Sequence, residues 1–309
     1  MIAFLYPGQG AQKIGMGQDI CAKYEEADRI FEQASGALGY DMKKLVFEGD
    51  EQELMITENT QPALLTVSMA ITEVLKKHMQ PDYTAGLSIG EYAAHVCAGT
   101  IDFADAVQTV RLRGRYMQEA VPLGKGGMAA IIGLAPELVE EACEAASKKG
   151  TVEAANYNCP GQIVIAGEAE AVEYACVIAK EKGARRAVPL AVSAPFHCSL
   201  MRPAGEKLEP VLKKLDIHDF TIPVCTNVTA QKIENKDEIV DLLVRQVSSP
   251  VRWEDSIRFL LAQGVDTFIE VGPGKALTGF MKKIDKEARM LHVEDIPSLE
   301  ETLTALKEG

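Results

Sequence analysis

Residues 83–97 read Tyr83-Thr84-Ala85-Gly86-Leu87-Ser88-Ile89-Gly90-Glu91-Tyr92-Ala93-Ala94-His95-Val96-Cys97. A short apolar run enters a Gly-x-Ser-x-Gly turn, and the residues after it fit a helix. Strand, sharp turn and helix in that order are the setting of a nucleophile elbow. Gly86 and Gly90 let two chain segments approach where a Cβ would clash. Ser88 then stands at the carboxyl end of a strand. The Ile89 amide falls at a helix N-terminus, where unpaired N–H groups favour an oxyanion. The plainer alternative is a Gly-Ser turn that merely precedes a helix.

Upstream, Ile2–Tyr6 is an apolar run closed by Pro7-Gly8-Gln9-Gly10, a buried strand followed by a Gly-rich turn. From Pro62 to about Met79, Leu64, Val67, Ile71, Val74 and Leu75 carry helical spacing. Thr60 or Gln61 precedes a proline suited to a first helical turn. Another helix is expected over about Asp102–Val121. The stretch Gly124-Lys125-Gly126-Gly127 breaks the pattern and reads as a linker.

Beyond it the rhythm changes. Strands are expected over Met128–Leu134, Thr151–Tyr157, Ile163–Ala166 and Arg186–Val192, with helices over Pro136–Lys149 and Ala169–Lys182. That order, βαββαβ, is ferredoxin-like, and its helices can cover one face of a small sheet. After Pro195, helices alternate with strands near Ile222–Asn227, Thr267–Val271 and Met290–Val293. Such alternation predicts a parallel sheet covered on both faces.

Composition sets the class. The 309 residues are 47% apolar and 25% charged, which excludes a disordered chain. Net charge is −13 with pI near 5.0, opposite to the field a general nucleic-acid binder needs. The seven cysteines are scattered singly, which reads as free thiols in a reducing compartment. With the scattered histidines they offer no metal-ligand spacing. The opening MIAFLYPGQG has no basic region or cleavage site, and no apolar run suits a membrane span. The expectation is a cytoplasmic protein with no metal or cofactor, binding neither nucleic acid nor membrane.

A serine nucleophile needs a base. His78 adjoins Lys76 and Lys77 at a helix end. His95 lies seven residues beyond Ser88, directed along the helix away from it. His218 sits between Asp216 and Asp219 in a loop. His197 lies in Ser193-Ala194-Pro195-Phe196-His197-Cys198, at a strand end before a helix, where sites gather in such sheets. His292 lies in a late strand, after Asp266 or Asp285, and would suit the order of a serine hydrolase.

The expected helix from Asp102 carries three arginines. Arg111 and Arg115 share a stripe with Gln108, Gln118 and Glu119, a solvated face. Arg113 shares its stripe with Ala106, Thr109, Val110, Tyr116, Met117 and Ala120. An arginine on an apolar face is costly unless paired. It pairs either with an internal acid or with a substrate carboxylate held by its fork. In the free protein it is then expected to hold water or a weak partner.

Several motifs fall in one order: Pro7-Gly8-Gln9-Gly10, the Ser88 turn with Glu91-Tyr92, Arg113-Gly114, Asn158-Cys159-Pro160-Gly161-Gln162, Pro195-Phe196-His197-Cys198-Ser199-Leu200-Met201 and Glu270-Val271-Gly272-Pro273-Gly274. Over essentially the whole chain this series resembles the malonyl-CoA:acyl-carrier-protein transacylases of bacterial fatty acid synthesis. The fold is then a hydrolase-like parallel-sheet α/β domain, residues 1–124 and 193–309, with a ferredoxin-like subdomain inserted at 125–192.

The resemblance implies a dyad of Ser88 and His197, the imidazole oriented by a backbone carbonyl at Gln246. It implies an oxyanion hole from the Gln9 and Ile89 amides, and Arg113 as the malonyl-binding arginine. Phe196 matches a position linked in related acyltransferases to malonyl over methylmalonyl. Gln61, Met117 and Met128 are expected along the acyl pocket. The family commonly has His before the nucleophile, where this chain has Leu87.

The implied partners are malonyl-CoA and an acyl carrier protein, met by a monomer in ping-pong acyl transfer. Carrier proteins of this kind are acidic, as is this chain, so steering needs a local basic patch. Lys180, Lys182, Arg185 and Arg186, at a helix-to-strand turn, are the candidates. The rivals are a serine hydrolase or thioesterase, a non-catalytic carrier-binding module, and a trans-acting polyketide acyltransferase.

Overall fold

The structure is a computed structural model describing residues 1–192 and 194–308; Ser193, which opens the His197 motif, and Gly309 lie outside the described residues. The strands are β1 (Ile2–Tyr6), β2 (Tyr83–Gly86), β3 (Gly126–Ile132), β4 (Val152–Cys159), β5 (Gln162–Glu168), β6 (Arg186–Pro189), β7 (Val224–Cys225), β8 (Thr267–Val271) and β9 (Arg289–Val293).

Five of them form a sheet in the order β7-β2-β1-β8-β9, and every pair is parallel. Period-two alternation gives each strand two apolar faces. Phe4, Tyr6, Ile269 and Val271 enter one core, while Ala3, Leu5, Ala85 and Phe268 enter the core on the opposite face. Glu270 is the acid within β8. Its carboxylate accepts from the Leu277 and Thr278 amides, at 3.0 and 2.8 Å, so it holds the start of helix Ala276–Ile284.

The remaining strands form an antiparallel sheet in the order β4-β5-β3-β6. Helices Pro136–Ala146 and Ala169–Glu181 pack on it around a separate core that includes Ile131, Ile165, Val139 and Val172. This is the ferredoxin-like βαββαβ arrangement.

Several boundaries differ from the sequence expectation. The long helix runs Thr57–Leu75, so Pro62 lies inside it rather than at its start. The preceding chain is secured instead by Thr60, whose hydroxyl donates to the Leu54 carbonyl at 2.6 Å. Gly126 and Gly127, expected in a linker, are strand residues. A Cβ on Gly126 would lie 2.3 Å from Pro195 Cδ, so glycine lets the chain before His197 close against β3. β6 stops at Pro189; after one further rung from Leu190 to the Met128 carbonyl, the chain turns as the Val192 amide bonds back to the Leu190 carbonyl. β7 shrinks to Val224–Cys225, and the Asn227 amide bonds to Glu91 instead of continuing the ladder. Among the described residues, no helix is long and apolar enough to cross a membrane.

Candidate active site

The turn after β2 is as tight as its glycines require. A Cβ on Gly86 would lie 2.0 Å from the Gly90 carbonyl, and one on Gly90 would lie 2.3 Å from the Tyr6 carbonyl. Ser88 adopts φ +56°, a region side chains enter at a cost. Asn227 holds it there. Its Oδ1 accepts from the Ser88 amide at 2.7 Å, and its Nδ2 donates to the Gly86 carbonyl at 2.7 Å.

Tyr6 and Gly86 are register partners in β1 and β2, so the turns that follow them lie side by side. One turn carries Gln9 and the other carries Ile89, at the mouth of helix Gly90–Cys97. Among the described residues, neither amide has a hydrogen-bond acceptor. Leu87 covers the same corner. A Cβ on Gly8 would lie 2.5 Å from Leu87 Cδ2, so an apolar side chain walls this corner.

Ser88 Oγ lies 2.6 Å from His197 Nε2, and His197 Nδ1 lies 2.9 Å from the Gln246 backbone oxygen. His197 sits in a turn at φ +64°, not at a strand end, because β6 has already ended at Pro189. It is buried, and burial together with the neighbouring Arg113 charge pushes its pKa down to about 3.

The other histidines are elsewhere. His95 is buried against the Thr100 hydroxyl at 2.9 Å, and burial pushes it down to about 3. His292 faces Glu294 at 3.4 Å. Asp266 bonds to the N-terminus and Asp285 to the Glu287 amide, so neither acid supports the hydrolase order. His218 lies 3.9 Å from Asp102, and His78 is exposed.

Arg113 is 1% exposed. Its Nη1 donates to Gln61 Oε1 at 2.7 Å, and its Nη2 donates to Gln246 Oε1 at 3.0 Å and to Ser88 Oγ at 3.3 Å. The Tyr92 ring lies 5.6 Å from its Cζ. These contacts correct the expectation of water or a weak partner. Two amide oxygens hold the guanidinium, and the acid nearby, Glu91, reaches it through Gln246. Arg111 is not simply solvated either. It is half-buried, 3.2 Å from Glu58 and stacked over Tyr40, whereas Arg115 is exposed.

A cavity of about 930 Å3 opens above these groups, lined by Gln9, Ser88, Arg113 and His197. Gln61, Met117, Met128 and Phe196 line it too, and Gln61 Nε2 lies 3.8 Å from Met117 Sδ. Leu190, Ala191 and Val192 form part of its wall. Arg185 and Arg186 stand exposed at the other end of β6, about 13 Å along the strand from Leu190. Lys180 is exposed as well, whereas Lys182 is tied to Glu141 at 2.6 Å and so contributes less free charge.

Sequence reasoning counted Glu91 in the motif series and ended an expected strand at Asn227, but gave neither a role at the site. An acid in the first turn of a helix reads as a favourable dipole partner and nothing more. Asn227 lies 139 residues from Ser88, and no local pattern connects them.

The acyl transferase domain family matches residues 3–306. A malonyl CoA-acyl carrier protein transacylase of Bacillus subtilis is 50% identical over 309 residues, 99% of this chain and 98% of that one. A solved malonyl CoA-acyl carrier protein transacylase of Clostridium perfringens is 48% identical with a TM-score of 0.97, covering 99% of this chain and 97% of that one. A malonyl-transacylase solved in complex with its type II polyketide acyl-carrier protein is 45% identical with a TM-score of 0.96, covering 98% and 99%. A match of this extent in sequence and fold places the chain in the acyl transferase domain family, among the malonyl CoA-acyl carrier protein transacylases.

Proposed function

We propose that this chain moves a malonyl group from coenzyme A to the phosphopantetheine thiol of an acyl carrier protein, supplying fatty acid synthesis. Ser88 Oγ attacks the thioester carbonyl while His197 Nε2 takes its proton. The Gln9 and Ile89 amides receive the oxyanion, and the proton passes to the departing thiolate of coenzyme A. In the second half, His197 deprotonates the pantetheine thiol, which attacks malonyl-Ser88, and the proton returns to Ser88 Oγ.

The observation that carries the reading is Arg113, whose Nη2 lies 3.3 Å from the nucleophile inside an apolar stripe. A cationic fork at that distance suits a short acyl chain ending in a carboxylate. Burial is the main cause of the low basicity of His197, and pairing Arg113 would remove the smaller contribution that its charge adds. Acyl groups without a carboxylate then lose both an anchor and part of the base.

The reading requires neither metal nor organic cofactor. It takes residues 1–124 and 193–309 as the catalytic unit and 125–192 as an inserted subdomain. It places a monomer in the cytoplasm, with the carrier protein docking beside Lys180, Lys182, Arg185 and Arg186. Incubation with malonyl-CoA followed by intact mass spectrometry tests it. One malonyl group should appear on the Ser88 peptide and leave on addition of holo carrier protein. A wild-type protein that acquires no adduct would overturn the reading.

A further inference from the structure

Glu91 takes no part in the steps above, yet its carboxylate is wholly buried in the helix that starts at the elbow. Burial raises its pKa to about 7. Its Oε2 accepts from Gln246 Nε2 at 2.8 Å and from the Asn227 amide at 3.0 Å. Among the described residues, Oε1 has no partner. A buried carboxylate with one oxygen unpaired is an expensive way to join two segments. A purely structural link would be served as well by a neutral amide or hydroxyl.

At the Oε2 that faces Gln246 the acid only accepts, because a proton, when bound, sits on the unpartnered Oε1, whereas an amide can present either a donor or an acceptor there. The Gln246 side chain has one donating and one accepting end. Its nitrogen faces two acceptors, Glu91 Oε2 and the Ser88 carbonyl at 3.0 Å. Its oxygen is thereby committed to the other side, where Arg113 Nη2 donates to it at 3.0 Å. Were the amide reversed, an NH2 group would face the guanidinium and push it away.

We propose that Glu91 is a positioning residue for acyl-group selection: it holds the Gln246 amide one way round, so that an oxygen stays on Arg113 and the guanidinium keeps its aim into the cavity. The inference rests on the reading of Arg113 as the carboxylate anchor. It assigns Glu91 an effect on which acyl group is chosen, beyond any effect on folding.

The test compares malonyl-CoA with acetyl-CoA. Glu91→Gln keeps the shape and removes the obligatory acceptor. Its malonyl-to-acetyl ratio of kcat/KM should fall by about 10-fold or more, the scale of one lost charge-assisted hydrogen bond. The malonyl loss should lie mainly in KM. Rates are normalised to the fraction of protein that can be acylated at Ser88, so partial misfolding cancels from the ratio. An unchanged ratio would mark a structural role and overturn the proposal.

A second variant covers failure of the first to fold. Gln246→Met removes the side-chain amide but keeps the backbone oxygen on His197. It should narrow the ratio in the same way, and Glu91→Gln added to it should change the ratio by less than about 2-fold, because Glu91 acts only through Gln246. Full additivity, or a Gln246→Met ratio equal to wild type, would overturn the proposal. Failure of the functional reading looks different, since wild-type protein would then form no malonyl-Ser88 at all.

Discussion

The backbone oxygen of Gln246 lies 2.9 Å from Nδ1 of His197. A carbonyl can only accept, so Nδ1 carries the proton and Nε2 offers its lone pair to Ser88 Oγ, 2.6 Å away. The neutral base is therefore in the right tautomer without a third acid. A main-chain orienter also survives any side-chain change at its own position that leaves the backbone in place.

The dyad can be separated from the other histidines by substitution. Ser88→Ala should abolish the malonyl ester, and His197→Ala should slow its formation by roughly 1000-fold or more. His292→Ala, whose ring faces Glu294 and does not line the cavity, should stay within about 3-fold of wild type. Stopped-flow acylation by malonyl-CoA measures all three. A larger loss at His292 than at His197 would restore the hydrolase order.

Arg113→Ala should lower kcat/KM for malonyl-CoA by about 30- to 1000-fold, the range for truncating one partner of a buried charge pair. Acetyl-CoA should lose far less, so the preference narrows or inverts. Arg113→Lys should recover part of the loss, because a point charge cannot reproduce the fork. Arg115→Ala, on the exposed side of the same helix, is the control. Equal losses with both thioesters would make Arg113 a structural group. The alanine variant also leaves the Gln61 and Gln246 oxygens without their donor, so about 1–3 kcal/mol of stability should go with it.

Reversing charge at Arg185 and Arg186 should lower the rate with carrier protein and weaken its dependence on salt. Transfer to free pantetheine should not change, since both side chains stand at the end of β6 away from the cavity wall. Lys182→Ala should have the smaller effect, because Glu141 already holds its charge. Steady-state rates at several ionic strengths decide, and equal losses with both acceptors would remove docking from this face.

Stability should fall on mild acidification for a reason unrelated to catalysis. Burial holds His95 and His197 down to about 3 in the folded chain. Unfolded histidines bind protons from about pH 6.5 downward. The stability these groups supply is thus complete above pH 6.5 and lost as pH falls toward 3. His292, also lowered by burial, adds to the loss. Glu91, raised to about 7, acts in the opposite sense: its contribution is full below the ordinary carboxylate range and lost as pH rises through 7. His95→Gln removes one buried histidine outside the site. Between about pH 5 and 6 it should flatten the dependence of unfolding free energy by about 1.4 kcal/mol per pH unit. Urea melts across that window give the slope, and an unchanged slope would mean His95 titrates normally.

Local chemistry determined a good deal of this protein by sequence alone. Gly86-Leu87-Ser88-Ile89-Gly90 announces its turn because glycine spacing is a property of neighbouring residues, and the 2.0 Å approach of a Gly86 Cβ to the Gly90 carbonyl lies within the turn itself. The alternation of helix and strand gave the parallel sheet, and the βαββαβ order gave the antiparallel one, because both follow from period and succession. Arg113 could be singled out because an arginine among Val110, Met117 and Ala106 breaks the apolar stripe of its own helix.

Tertiary structure alone decided what those groups touch. That Arg113 would rest on Gln61 and Gln246 rather than on an acid could not be read from its helix, because the partners stand 52 and 133 residues away. Pro62 stayed inside its helix, against its local preference, where packing of the surrounding buried face outweighs one missing hydrogen bond. Glu91, though part of a motif, and Asn227 had no legible role as residues and acquire one from each other, Ser88 and Gln246. Period and turn chemistry act over a few residues and are written locally. The partner of a buried polar group is chosen by whichever distant segments the fold brings within about 3 Å of it.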